Sequence, residues 1–200
     1  MNGALGAPNG PSRTVNGAAA ALQEVMAGRG GAEVNVEAME NLAAAAQADI
    51  VTLTVPFAHQ VSTLEHVRDA LTGKILVDVT VPLVPPKVGR VQLPAGGSAG
   101  QIAQDLLGED VQVVSAFQNV AAHHLQEGHG IECDVLVTGD SKEAREQVIA
   151  LVEAAGMRGF HAGPIANAAA AEALTSVLIT INRQYKCHAG IRITGPDQAE

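Results

Sequence analysis

Short apolar segments that alternate with helical stretches constrain the fold of this chain more than any other feature. Residues 50–55 and 74–79 are nearly all apolar or β-branched, as strands covered on both faces are. Residues 111–115 and 133–137 continue the pattern. Strands that alternate with helices form right-handed βαβ units. The sequence therefore predicts an α/β protein with a mostly parallel sheet.

Glycine, proline and capping residues give the bounds of the other elements. Ser98 and Gln101 form a capping box for a helix to about Leu107, while Asp140 and Glu143 are placed to cap a later helix. Residues 33–36 and 158–160 are predicted to be short strands, and residues 79–97 a proline-rich loop. The remaining predicted helices span residues 15–27, 37–48, 58–71, 140–155 and 167–188. Helical spacing in the last of them forms an apolar stripe, predicted to pack in the core or against a second subunit: Leu174, Val177, Leu178, Ile181 and Tyr185.

Charge and cysteine content exclude several classes of protein. The 200 residues include 12 Lys and Arg against 21 Asp and Glu, a net charge of -9. Such a balance disfavours binding to nucleic acid or to an anionic membrane surface. No apolar run reaches the ~18 residues of a membrane span. The N-terminus lacks the apolar core of a secretory signal, and Cys133 and Cys187 form no CxxC motif. A cytoplasmic protein is predicted.

Several segments carry a family resemblance by their order and spacing over most of the chain. They are residues 48–56, 73–78, 81–83, 97–99, 115–123, 133–140, 162–164, 172–175 and 189–195. In these segments the sequence resembles the F420-dependent NADP oxidoreductases, which are NADPH-dependent reductases of coenzyme F420. The resemblance implies a Rossmann-like fold and hydride transfer between NADP and coenzyme F420. It further implies an NADP-binding domain at residues 1–117, a small deazaflavin-side or dimerisation domain at 118–200, and a homodimer.

The N-terminal segment departs from the family pattern. Members begin with a strand, a glycine-rich turn, a helix and a second strand that ends in Gly-Ser-Arg. Pro11-Ser12-Arg13 corresponds to the end of that second strand, and residues 3–6 are glycine-rich without a preceding apolar strand. The resemblance therefore implies a sheet that is incomplete at its N-terminus, with strand 50–55 short of one neighbour. It also implies weak NADPH binding by the sequence as printed.

For hydride transfer between two cofactors, the protein needs to bind both and exclude water between them. It does not need to supply an acid and a base. No catalytic side chain is therefore predicted. The useful groups would be small or apolar residues just after the strands, although the prolines would also serve merely to end strands. The predicted cofactor contacts of this kind are Val55, Pro56, Phe57, Val81, Pro82, Val120, Ala121 and Ala122.

Polar candidates follow from the resemblance. Ser12 and Arg13 correspond to a clamp for the 2′-phosphate of NADP, the alternative being a solvated tail. His59 would lie near the nicotinamide ribose or phosphates, or else face solvent. Asn119 and His123 are placed beside the nicotinamide pocket.

Two further segments have competing interpretations. Ala189 and Gly190 would face the deazaflavin, where a glycine lets the backbone approach a flat ring, or would form a plain helix C-cap. The histidines of residues 123–129 precede Glu132 and Cys133, but adjacent histidines diverge on a helix. No metal site is therefore predicted.

Two other functions remain open at this stage. One is an NADP-dependent reductase of a small imine or ketone. The other is a catalytically silent or truncated relative that persists as a dimerising module.

Overall fold

Five strands form one sheet in the computed structural model, which describes residues 37–121 and 132–195. Their order is β1-β2-β3-β4-β5; β1, β2 and β3 run parallel, β4 is antiparallel to β3, and β5 is parallel to β4. The predicted α/β class with a mostly parallel sheet is confirmed. The strands are β1 Ile50–Leu53, β2 Ile75–Asp78, β3 Gln112–Ser115, β4 Asp134–Gly139 and β5 Arg158–His161.

Within the described residues, five α-helices connect or cover these strands. They are α1 Asn41–Gln47, α2 Gln60–Val67, α3 Ala99–Leu107, α4 Lys142–Ala154 and α5 Ala168–Tyr185. Short 3-10 turns flank α2 at Phe57–His59 and Arg68–Leu71, and another precedes α5 at Ile165–Asn167. Within the described residues, helix α1 begins four residues later than predicted. The predicted elements at residues 15–27 and 33–36 lie outside the described residues.

Of the two predicted helix caps, one is confirmed and the other is wrong. The Ser98 hydroxyl accepts a hydrogen bond from the Gln101 backbone at 2.9 Å, so α3 begins as predicted. Asp140 was the wrong cap for α4. The Ser141 hydroxyl accepts from the Ala144 backbone instead, while the Asp140 carboxylate accepts from the backbone of Ile165.

Alternating side chains of β2 divide the core into two layers. Leu76 packs on the face covered by α1, α2 and α3, whereas Ile75 and Val77 pack on the face covered by α4. All four residues of β2 are buried, as expected for a parallel strand covered on both faces. Among the described residues, β1 is paired on one side only, by β2.

Helix α5 is the longest helix of the described ranges. With its preceding turn, Ile165–Tyr185 is long and apolar enough to cross a membrane by length and composition alone. It packs against α3 instead, and it carries a buried carboxylate, Glu172. Within its predicted stripe, Leu178 is a core residue, but Tyr185 is 73% exposed. Core packing is therefore correct for Leu178 and wrong for Tyr185.

Candidate functional site

The carboxyl ends of β1, β2 and β3 lie side by side at one edge of the sheet. The carbonyl oxygen of Leu53 accepts from the backbone of Val79 at 3.3 Å, and that of Asp78 accepts from Ala116 at 3.2 Å. Because β4 is antiparallel to β3, the beginning of β4 extends past the same edge. All the strand ends chosen from the sequence therefore meet at one place.

The predicted apolar contacts line this edge with partly exposed surface. Val55 packs against the core layer of α1 to α3, whereas Val120 packs against the layer of α4. Pro82 is buried; Pro56 and the following His59 are exposed. The half-buried members of the set are Val55, Phe57, Val81, Val120 and Ala121. None of these side chains carries a charge.

Asn119 and Gly190, predicted from segments far apart in sequence, meet on Cys133. The Asn119 amide donates to the Cys133 sulfur at 3.0 Å and to the Asp134 carbonyl at 2.8 Å. A Cβ added at Gly190 would lie 2.8 Å from that sulfur. The helix C-cap alternative for Gly190 is wrong, because Lys186, with a φ of 51°, ends α5.

A buried polar network that sequence reasoning missed lies behind the strand ends. The Gln60 amide donates to the Asp78 carboxylate at 2.5 Å, to the Thr80 hydroxyl at 3.2 Å and to the Ala99 carbonyl at 2.9 Å. The Thr80 backbone donates to the other Asp78 oxygen at 2.8 Å. Gln60 and Asp78 are both fully buried. Their bonds join α2, the end of β2 and the start of α3.

Glu172 of α5 closes the network from the other side. Its two carboxylate oxygens accept from the backbone N–H groups of Ala99 and Gly100 at 2.7 and 2.9 Å, at the N-terminus of α3. Burial raises the pKa of Glu172 to about 7. The two backbone bonds lower it, and the nearby charge of Asp78 raises it. Burial also raises the pKa of Asp78, against the lowering effect of its bonds to Thr80 and Gln60. Both acids therefore hold protons more tightly than exposed carboxyls.

Gln118 connects the turn after β3 to the same network. Its amide donates to the Asp78 carbonyl at 2.9 Å and to the Ser115 hydroxyl at 2.7 Å, and its backbone carbonyl accepts from Thr175 of α5. Gln60 and Gln118 each keep a buried amide oxygen without a partner in the described part of the chain. The preceding residue, Phe117, has a φ of 72°, a left-handed backbone that costs a non-glycine residue roughly 1 kcal/mol or more. The turn is thus held in place by its surroundings.

Sequence signals for the network were partial. Asp78 ends a buried strand, and Glu172 is a single acid within an alanine-rich helix. Either pattern could have indicated a buried carboxylate. Nothing in the sequence marks Gln60 or Gln118, because exposed glutamines in helices and turns are common.

A third buried acid, Asp134, lies at the amino end of β4. The Arg158 guanidinium contacts both oxygens of Asp134, at 3.0 and 2.8 Å, and the Ile193 backbone donates at 2.6 Å. Arg192 lies 3.5 Å from the same carboxylate. The bond from Arg158 lowers the pKa of Asp134. This cluster fixes residues 191–193 against β4, close to Gly190.

Several predicted site residues lie outside the described ranges: Ser12, Arg13, Ala122 and His123. The same holds for most of the histidine-rich segment. Within residues 37–121 and 132–195, no three His, Cys, Asp or Glu side chains are grouped to hold a metal ion.

Apolar strand ends at the carboxyl edge of a parallel sheet are where doubly wound α/β proteins bind dinucleotides. Fold and edge together define a Rossmann-like α/β protein. Comparison of the sequence with known proteins narrows this class. Residues 10–82 match the sequence profile of the family described as NADP oxidoreductase, coenzyme F420-dependent.

Whole-chain relatives extend that match. The chain is 37% identical to the F420-dependent NADP reductase of Methanocaldococcus jannaschii, over 88% of this chain and 81% of that one. It is 36% identical to the corresponding reductase of Methanothermobacter thermautotrophicus, over 94% and 84%. The chain belongs to the family of F420-dependent NADP reductases.

Similarity to a solved structure supports the fold. A protein of Arthrobacter sp. FB24, provisionally assigned as an F420-dependent NADP reductase, superposes with a TM-score of 0.70. The match covers 80% of this chain and 76% of that chain, at 23% identity.

Proposed function

We propose that this protein transfers a hydride between NADPH and the deazaflavin coenzyme F420. The observation that carries the proposal is the 37% identity to an F420-dependent NADP reductase over 88% of the chain. NADP and coenzyme F420 are the small-molecule partners in this proposal.

Uncharged side chains after the strands support the binding of two flat rings at the carboxyl edge of the sheet. Val55, Val81 and Val120 are half-buried and carry no charge, so a ring lying on them would remove apolar surface from water, which favours binding.

When bound, the two cofactors supply the hydride donor and acceptor carbons. The protein's part is to orient the rings and exclude water between them. The network of Gln60, Asp78 and Glu172 holds α2, α3 and α5 against the strand ends, so it keeps the ring-binding surface in one shape. Ala189 and Gly190 border the same edge through Cys133. Ser12, Arg13, Ala122 and His123 remain proposed contacts to the cofactors.

The direct test follows the visible absorbance of oxidised coenzyme F420 after addition of NADPH. We expect NADPH-dependent loss of that absorbance, with a lower rate for NADH if Arg13 pairs with the 2′-phosphate. A folded protein that leaves F420 oxidised, while reducing a cyclic imine with NADPH, would indicate the imine reductase alternative. A folded protein inactive with both would indicate a silent module.

The homodimer and a cytoplasmic location are also proposed. Val177 and Tyr185 on α5 are 44% and 73% exposed, which supports a second subunit on the stripe. Sedimentation equilibrium of the protein should give twice the 20.4 kDa of the chain. Replacement of Tyr185 by lysine should then shift the mass towards that of a monomer.

A further inference from the structure

A cleft lined by three cations lies between the proline-rich loop and α5. Its volume is about 490 Å³, within the range of small-molecule sites. The lining residues are Lys87, Gly89, Arg90, Thr180, Arg183 and Gln184. None of them is acidic, although the chain has 21 Asp and Glu against 12 Lys and Arg. The lining is therefore opposite in charge to the protein as a whole.

The three cations of this basic cleft differ from Arg158 and Arg192, each of which lies within 4 Å of a carboxylate. In the described ranges, no acid lies within that distance of Lys87, Arg90 or Arg183. Like charges gathered without an acid between them repel one another, and a bound anion would relieve that repulsion.

Backbone contacts hold the cations together. The turn that carries Lys87 and Arg90 is closed by a hydrogen bond from the Arg90 N–H to the Lys87 carbonyl at 3.0 Å. The Thr180 hydroxyl of α5 donates to the carbonyl of Gly89 at 2.9 Å, one helical turn before Arg183. A Cβ at Gly89 would lie 3.6 Å from the Arg183 guanidinium. The turn is thus fixed against α5 before any ligand arrives.

A second cleft of the molecule provides a contrast. It has a volume of about 600 Å³ and is bordered by Asp105, Glu109 and Asp140, with no lysine or arginine in its lining. Two open clefts of similar size thus carry opposite charge. The size of a cleft therefore does not explain why three cations line the basic cleft.

We propose that the basic cleft binds the phosphate group of a small ligand, with Lys87, Arg90 and Arg183 as its partners. Guanidinium groups bind phosphate oxygens in pairs and with charge assistance. The anion site itself does not depend on the proposed hydride transfer. NADP and coenzyme F420 both carry phosphate, so either could supply the group.

Inorganic pyrophosphate is the first probe, measured by calorimetric titration of the full chain in its solution oligomeric state. We expect saturable binding that weakens with added salt. Arg183→Gln and Arg90→Gln should each raise the dissociation constant about tenfold, as expected for loss of one charge-assisted contact. Arg183→Lys should raise it less. Lys142→Gln removes one exposed positive charge on α4 and should leave the affinity unchanged.

Competition identifies the source of the phosphate. Displacement of pyrophosphate by F420 or by NADP assigns the cleft to that cofactor, and a lack of displacement by either assigns it to another phosphate ligand. Absence of pyrophosphate binding, or equal weakening by Lys142→Gln, would overturn the proposal. If the arginine variants fail to fold, Lys87→Gln, at an exposed turn position, tests the same point.

Discussion

Two regions of the molecule bury carboxylates in opposite ways. Asp134, at the amino end of β4, is paired with arginine, and its pKa is lowered. Glu172, against the start of α3, accepts only neutral backbone N–H groups, and its pKa is raised to about 7. Their exposed fractions are almost the same, 0% and 1%. At Glu172 the effect of burial on the pKa outweighs that of the backbone bonds, whereas at Asp134 the bond from Arg158 outweighs burial.

Depth contributes to this difference. The arginines over Asp134 are 36% and 49% exposed, so only a thin, charged layer separates that carboxylate from water. Glu172 lies between two helices and close to a second acid, Asp78. A carboxyl group in the interior that has only neutral donors resists ionisation. A carboxyl group covered by arginine side chains does not.

The largest expected effect comes from removing Arg158, one of the two arginines that cover Asp134. Arg158→Met should lower the free energy of unfolding by about 3 kcal/mol, the lower end of the range for breaking a buried pair, since water can reach Asp134 from one side. Urea denaturation measures the change. The same substitution in an Asp134→Asn background should cost clearly less. Equal losses in both backgrounds would mean that Arg158 acts through its other contacts, which include the Phe160 ring 5.1 Å away and the Ile193 carbonyl, and not through its pair with Asp134.

The next effect is a pH dependence of opposite sign in the two regions. The folded pKa of Glu172, about 7, lies above its ordinary value of 4.5, so the folded state binds the extra proton. Its contribution is present below pH 4.5 and is lost as the pH rises through 7, on the order of 3 kcal/mol. For Asp134 the contribution is present above pH 3.8 and is lost as the pH falls through its lowered pKa.

Chemical denaturation of Glu172→Gln and of the parent protein, between pH 4.5 and 8, tests this dependence. The variant cannot titrate, so the parent should lose stability relative to it as the pH rises. Glu146→Gln, which changes an exposed acid paired with Lys142, is the matched control and should run parallel to the parent. A parallel profile for Glu172→Gln as well would overturn the raised pKa, because it would mean that Glu172 binds its proton no more tightly in the folded state than in the unfolded state.

The smallest effect concerns the segment that the Asp134 cluster holds in place. Gly190→Ala would put a Cβ 2.8 Å from the Cys133 sulfur, and we expect a loss of about 2 kcal/mol in the free energy of unfolding. Cys133→Ala together with Gly190→Ala should recover part of the loss. If stability is not recovered, the backbone at Gly190, rather than the contact with the sulfur, is what requires a glycine.

Sequence reasoning predicted the strands better than the polar interior. The four strongest apolar segments all became strands, because a segment apolar on both faces can bury itself only inside a covered sheet. Bounds were less accurate: the predicted strand 50–55 ends at Leu53. The predicted domain boundary between residues 117 and 118 falls where the strand direction reverses, between β3 and β4. The two-domain organisation itself stays a prediction.

Candidate site residues were predictable where local sequence order decides position. Val55, Val81 and Val120 follow their strands, and parallel strands bring such positions to one edge. The meeting of Asn119 with Gly190 was not predictable, since Cys133, which lies between them, has no motif of its own. Gln60 and Glu172 were missed because their partners are backbone atoms or side chains at least 18 residues away.

The sequence alone determined the α/β class, the family and the apolar character of the strand ends. These depend on residue type and on neighbours along the chain. Tertiary structure alone decided which buried acid meets arginine and which meets neutral amides. A carboxyl group's proton affinity depends on the charges and solvent within a few ångströms, and those are set by which distant segments pack together.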